Sequence, residues 1–222
     1  KQLKIIISGG GSGGHIFPAL AIARSLKEIN NNIEFLFVGA KNKMEMEKVP
    51  NAGFKIKGLW ISGFQRRLTL KNILFPLKLV HSILFSFIII NRFKPDLVIG
   101  TGGFASGPIL YVASKKNIPT LIQEQNSYAG ITNKILSVHV DLICVAYENM
   151  HRFFPEDKIL LTGNPIRKNI LNHNSKTNDA AKFFNVDIEK STILVVGGSL
   201  GAKTINTSIL NGLNIFKENQ IN

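Results

Sequence analysis

Within this 222-residue chain, Ser8-Gly9-Gly10-Gly11-Ser12-Gly13-Gly14-His15 is the stretch best suited to chemistry. It follows an apolar run, Leu3 to Ile7, that reads as a buried strand, and it precedes Ala19-Leu20-Ala21-Ile22-Ala23, which reads as helix. Strand, glycine turn and helix together hold anions. Glycine lets the backbone approach a ligand closely, and a helix mouth offers unpaired N–H groups and partial positive charge. Pro18 fits the first helical turn, where its missing N–H costs nothing. Gly9-x-Gly11-x-x-Gly14 also matches the dinucleotide fingerprint, which needs an acid at the end of the second strand. Here that strand, Ile33 to Val38, runs into Gly39-Ala40-Lys41, so a nicotinamide dinucleotide is set aside in favour of another phosphate. His15, beside the turn, is a residue type that takes and gives protons near neutral pH.

Further along, the same geometry recurs. Asp96 to Gly100 reads as a strand, then Thr101-Gly102-Gly103-Phe104-Ala105-Ser106-Gly107-Pro108 as a second glycine turn, then Ile109 to Lys116 as helix. Pro119 to Gln123 is a strand followed by the polar run Glu124-Gln125-Asn126-Ser127. In an open parallel sheet, ligands bind beyond the carboxyl ends of the strands. Both glycine turns and the polar run follow such ends and are expected to face one cleft. Taken alone, Glu124 and Asn126 read as capping or turn residues.

The elements that must position these residues alternate between strand and helix. Helices are expected over Ile16 to Asn30, Lys43 to Val49, Leu70 to Phe93 and Ala129 to Val138, and further strands over Phe54 to Leu59, Asp141 to Val145 and Lys158 to Thr162. The near-continuous apolar runs suit parallel strands covered on both faces. Residues 168–191 lose apolar density and read as a linker with weak helix. Thr192 to Val196 reads as a β-branched strand opening a second domain, followed by Gly197-Gly198-Ser199-Leu200-Gly201-Ala202. The division is thus a first domain over 1–167, a linker over 168–191 and the start of a second domain over 192–222.

Composition narrows the partners. A net charge of +13 favours anionic ones: a membrane surface, phosphorylated substrates or nucleic acid. No nucleic-acid-binding motif accompanies the charge, so nucleic acid is not expected. Cys144 is the one cysteine, lies in an apolar run and reads as a core residue of a protein in a reducing compartment. The stretch from Leu70 to Phe93 is apolar but broken by Pro76, Lys78, His81 and Ser82, and basic residues from Arg66 to Lys94 flank and punctuate it. It reads as a crossover helix with one face in the core. Its other face is a candidate for attachment to anionic lipid, with Ile73, Phe75 and Leu79 as apolar and Lys71 and Lys78 as basic contacts. His81 has no second ligand at metal spacing, and no metal or other cofactor is expected.

Five stretches in order carry a family resemblance. They are Gly10 to His15 with Pro18-Ala19-Leu20-Ala21, Gly102 to Pro108, Glu124-Gln125-Asn126, Gly163-Asn164-Pro165-Ile166-Arg167, and Gly197 to Ala202. Together they resemble the MurG family of bacterial N-acetylglucosaminyltransferases, from Lys4 to about Ala202. The resemblance implies a GT-B-type architecture of two α/β, Rossmann-like domains, each a parallel sheet with helices on both faces. It implies an inverting, metal-independent transfer of N-acetylglucosamine from UDP-N-acetylglucosamine to undecaprenyl-diphosphate-linked muramyl-pentapeptide (lipid I), at the cytoplasmic face of the bacterial inner membrane. Donor contacts carried over are Ser12, Gly13, Gly14, Asn126, Arg167 and Ser199. Acceptor-diphosphate contacts carried over are Gly102, Gly103, Ser106, Glu124 and Gln125. His15 is the candidate catalytic base, and Glu124 a weaker one. Ser12 stands where the family usually has threonine, and Gln123 where it often has histidine. The family's second domain runs well past residue 222, so a chain ending there is expected to bind donor poorly. A UDP-N-acetylglucosamine epimerase of the same plan is the alternative, weighed against by the apolar and basic stretch; a non-catalytic lipid-diphosphate docking module is another.

Overall fold

The computed structural model describes residues 2–63, 74–166, 177–197 and 201–221. The chain divides into two units, Lys1–Arg167 and Lys168–Asn222.

The first unit is built on a seven-stranded, all-parallel sheet. Its strands are β1 (Lys4–Ser8), β2 (Glu34–Ala40), β3 (Lys55–Leu59), β4 (Leu97–Gly100), β5 (Thr120–Glu124), β6 (Leu142–Val145) and β7 (Ile159–Leu161), in the order β3-β2-β1-β4-β5-β6-β7. The helices are α1 (Gly13–Ile29), α2 (Glu45–Asn51), α3 (Phe75–Phe93), α4 (Ser106–Lys115) and α5 (Ile131–Leu136). This is the Rossmann-like sheet that the alternation of runs predicts.

Period-two alternation assigns the two faces. Ile5 and Ile7 point to the side where Ile16, Ala19, Leu20 and Ala23 of α1 pack with Phe35, Phe37 and Val49. Ile6 points to the opposite side, where α3, α4 and α5 contribute Ile89, Ile90, Ile109, Leu110 and Leu136. All three isoleucines are fully buried, and burial of each contributes about 1.5–3 kcal/mol. Because β1 lies between β2 and β4, the strand order reverses beside it, and the crevice at the carboxyl ends of β1 and β4 opens there.

Three expected elements differ. Helix α1 begins at Gly13, so the last two glycines and His15 form its first turn and Pro18 lies inside the helix. There the proline ring cannot donate to the Gly14 carbonyl, which leaves a looser first turn. Helix α4 likewise begins at Ser106, three residues early, with Pro108 in its first turn. Helix α5 is shorter than expected, because the residues before it serve the β5 turn instead.

In the second unit, α6 (Thr177–Phe184) lies within the expected linker and α7 (Lys203–Glu218) follows the third glycine stretch. The strand expected over Thr192 to Val196 is not formed. Leu194 and Val196 are exposed, and no strand among the described residues pairs with them. A strand needs a neighbouring strand to hold it in a sheet.

Candidate functional site

At the carboxyl ends of β1 and β4 the two glycine turns interlock. Thr101 is the rivet. Its N–H donates to the Ser8 carbonyl at 2.8 Å, and its hydroxyl donates to the His15 carbonyl at 2.7 Å. Gly102 and Gly103 both have positive φ, +94° and +78°. A Cβ on Gly102 would lie 2.9 Å from the His15 ring, and one on Gly103 would collide with the Gly10 carbonyl oxygen. Only glycine lets the second turn come this close to the first.

His15 sits where they meet. Its Nδ1 is 3.1 Å from the Ser12 hydroxyl. Burial pushes its pKa below the ordinary 6.5, opposed by the Glu124 charge, a hydrogen bond with the Gly10 backbone and the Glu45 charge. Burial thus favours the neutral imidazole, the state a general base requires. Ser12 occupies the N-cap position, yet its side chain makes no capping bond and turns to His15. Gly13 and Gly14 then carry the first N–H groups of α1, which have no acceptor within the helix. No acidic residue lies in that first turn, so the positive end of the helix is unopposed on its own element.

The β5 turn closes the third side. Glu124 is buried, and its carboxylate accepts four hydrogen bonds: from the Asn126 N–H at 3.1 Å, the Asn126 amide at 3.0 Å, the Gly130 N–H at 2.9 Å and the Asn133 amide at 2.9 Å. Gln125 donates to the Thr101 carbonyl at 2.8 Å and so ties this turn to the second glycine turn. The Asn164 amide donates to the Gln125 carbonyl at 3.2 Å, just after Gly163 with φ +75°.

Of the residues picked from sequence, Ser12, Gly13, Gly14, His15, Gly102, Gly103, Ser106, Glu124, Gln125 and Asn126 converge on these three turns. Their roles divide on access. Ser12, Gly14 and Asn126 are exposed. Ser106 is fully buried and its hydroxyl donates to the Gly103 carbonyl at 2.9 Å, which shapes the turn. The Glu124 carboxylate is occupied by its own turn and by Asn133 of α5, which gives it a positioning role. The Gln125 amide instead donates, to the Thr101 and Gln123 carbonyls. Arg167, Ser199, Ile73 and Lys71 lie outside the described residues.

The described membrane candidates, Phe75, Lys78 and Leu79, lie on α3. Leu79 packs half-buried against the core, and the Lys78 ammonium turns to the Ser62 hydroxyl at 3.2 Å and lies 5.8 Å from the Trp60 ring centre. The exposed stripe of α3 is Leu77, Val80, Leu84, Phe87 and Ile88. The helical period puts residues 77, 80, 84 and 87 on one side and 79, 82, 86 and 90 on the other. By length and composition α3 could cross a membrane, but its inner face packs on β3 and α4 as a crossover helix.

Sequence reading missed Glu45, Thr101 and Asn133. Asn133 is buried, donates to Glu124 and to the Gln123 carbonyl, and its own carbonyl oxygen has no hydrogen-bond partner among the described residues. Its signal was a lone amide on the inner side of an apolar helix. Among the described residues, no three His, Cys, Asp or Glu side chains converge to hold a metal. Burial pushes the Cys144 thiol up, against a hydrogen bond with Thr162, so it stays a neutral core residue.

Comparison with known proteins bears on the same segment. Residues 5–145 match the glycosyltransferase family 28 N-terminal domain. The chain is 59% identical over 209 residues to the UDP-N-acetylglucosamine–N-acetylmuramyl-(pentapeptide) pyrophosphoryl-undecaprenol N-acetylglucosamine transferase of Flavobacterium psychrophilum, covering 94% of this chain and 57% of that protein. The crystal structure of Acinetobacter baumannii MurG superposes with a TM-score of 0.70 at 28% identity, over 95% of this chain and 57% of that one. UDP-GlcNAc 2-epimerase from Neisseria meningitidis gives 0.60 at 16% identity over 97% of this chain and 63% of that one, a likeness of fold alone. The chain thus spans under two thirds of the length of these relatives. The resemblance read from the five motifs is borne out, and the chain belongs to glycosyltransferase family 28, whose N-terminal domain it carries.

Proposed function

We propose that this chain is the acceptor-side part of an inverting N-acetylglucosaminyltransferase, acting from UDP-N-acetylglucosamine onto undecaprenyl-diphosphate-linked muramyl-pentapeptide. The observation that carries the reading is the meeting of two glycine turns over His15 at the sheet's switch point. A diphosphate is matched by the N–H groups at the mouth of α1 and by the helix's positive end. His15 accepts the proton of the acceptor sugar hydroxyl as that oxygen attacks the anomeric carbon. The bond to UDP breaks on the opposite side, and negative charge grows on the departing diphosphate, where preorganised N–H groups stabilise it. Ser12, by its contact with Nδ1, orients the imidazole. Glu124, Gln125 and Thr101 hold the turns in register.

A lipid-linked acceptor lies at a membrane surface, and the exposed stripe of α3 supplies a means of meeting it. Leu77 and Leu84, each 63% exposed, offer apolar area for the acyl boundary. The net positive charge favours an anionic leaflet, here the cytoplasmic face of the inner membrane. The test is UDP release by the longest reading frame that contains this chain, with lipid-linked acceptor, against a His15→Ala variant. Loss of turnover with retained folding supports the base. Unchanged turnover removes His15 from the reaction.

A further inference from the structure

Glu45 has no role in the chemistry above, yet it is fully buried beside the first glycine turn. It opens α2, between the ends of β2 and β3. Its carboxylate accepts from the Gly11 N–H, 3.2 Å from both oxygens, and from the Ala40 N–H at 2.9 Å. Gly11 lies past the end of β1 and Ala40 ends β2. The side chain therefore continues the β1–β2 ladder where the backbones part. Among the described residues its hydrogen-bond partners are backbone N–H groups alone.

The surrounding glycines make room for it. A Cβ on Gly10 would collide with the Glu45 carboxylate, and one on Gly39 would lie 2.5 Å from its Cγ. Part of the glycine richness of the first turn thus serves a protein carboxylate. Gly11, which a phosphate-binding reading would count among the donors, already has its acceptor.

We propose that Glu45 is the positioning residue of the first glycine turn. Its carboxylate clips the first glycine turn to the end of β2, holds Ser12 and His15 at the mouth of α1, and leaves the Gly13 and Gly14 N–H groups as the turn's donors to a diphosphate. The clip stands on geometry alone; its relation to diphosphate rests on the function proposed above.

The experiment uses the 15N-labelled chain. In the wild type, the Gly11 amide should exchange about 10- to 100-fold more slowly than those of Ser12 and Gly13, after correction for intrinsic rates, as befits a bond to a charged acceptor. Exchange of Gly11 as fast as its neighbours overturns the clip, and needs no variant to fold. In Glu45→Gln, one oxygen becomes an N–H donor facing an N–H, and the protection of Gly11 should vanish. The His15 titration should also move to lower pH in that variant, because of the two carboxylates that favour its proton, Glu124 and Glu45, only Glu124 keeps its charge. An unmoved titration overturns the coupling of Glu45 to His15. Inorganic pyrophosphate should shift the Gly13 and Gly14 amides and spare Gly11. Protection of Gly11 with no pyrophosphate response would keep the clip and refute its link to a diphosphate.

Discussion

Gly103→Ala isolates the interlock of the two glycine turns. Two costs follow from the structure. Gly103 has φ +78°, and an L side chain in that region costs about 1–2 kcal/mol. The new Cβ would also meet the Gly10 carbonyl oxygen, a backbone atom that cannot swing aside, and lie 3.1 Å from His15 Nδ1. Forcing such an overlap adds about 1–3 kcal/mol as the turn moves. The sum is about 2–5 kcal/mol. Gly53→Ala is the control, since its φ is +83° and a Cβ there meets nothing within 4 Å. It should cost only the backbone share, about 1–2 kcal/mol. Urea unfolding followed by fluorescence of Trp60, the one tryptophan of the chain, gives both values. Gly103→Ala should exceed Gly53→Ala by about 1–3 kcal/mol and, in the longer reading frame, lower turnover by about a hundredfold through the displaced His15. Equal costs for the two variants would refute the interlock.

The Glu124 latch, the outer face of α3 and the state of His15 give further expectations. Glu124→Ala takes the acceptor from the buried amide of Asn133, and a loss of about 1–3 kcal/mol is expected in urea unfolding. Val80→Asp with Leu84→Asp should cut co-sedimentation with anionic vesicles at least about tenfold at unchanged stability. Leu79→Ser should instead cost about 1–3 kcal/mol of stability and leave vesicle binding intact. His15 has a folded pKa below its unfolded value, so between the two the unfolded chain binds more protons. Its contribution to stability is complete above about pH 6.5 and is lost as pH falls below that value, and His15→Gln should flatten this slope in unfolding curves taken across pH 5–7. The acid limb of kcat/KM should likewise lie below pH 6.5.

Much of the sheet was legible because buried parallel strands are nearly continuous apolar runs, and β1, β2 and β4 show this plainly. The convergence of three turns was legible too, since carboxyl-end loops of such a sheet share one side. Local signals misled at helix starts. Pro18 marked a first turn by habit of proline, while the helix took in Gly13 and Gly14 because the turn's N–H groups are left for the cleft. Which leucines of α3 face the core was not legible, because Leu77 and Leu79 are the same residue type and only packing tells them apart. Glu45 was invisible: a carboxylate in Met44-Glu45-Met46-Glu47 reads as helix surface. Its burial depends on gaps left by Gly39 at the end of the preceding strand and by Gly10, which is distant in sequence. Thr192 to Val196 shows the limit of β propensity, which needs a neighbouring strand to become a strand.

The measurement that bears most directly on the central claim is UDP release from UDP-N-acetylglucosamine, with lipid-linked muramyl-pentapeptide acceptor and EDTA present. It would be run on the product of the longest reading frame containing this chain, wild type beside His15→Ala and Gly103→Ala. Acceptor-dependent release that persists in EDTA and falls at least about a hundredfold in both variants is the predicted result. Release without acceptor, or release untouched by either substitution, would contradict it.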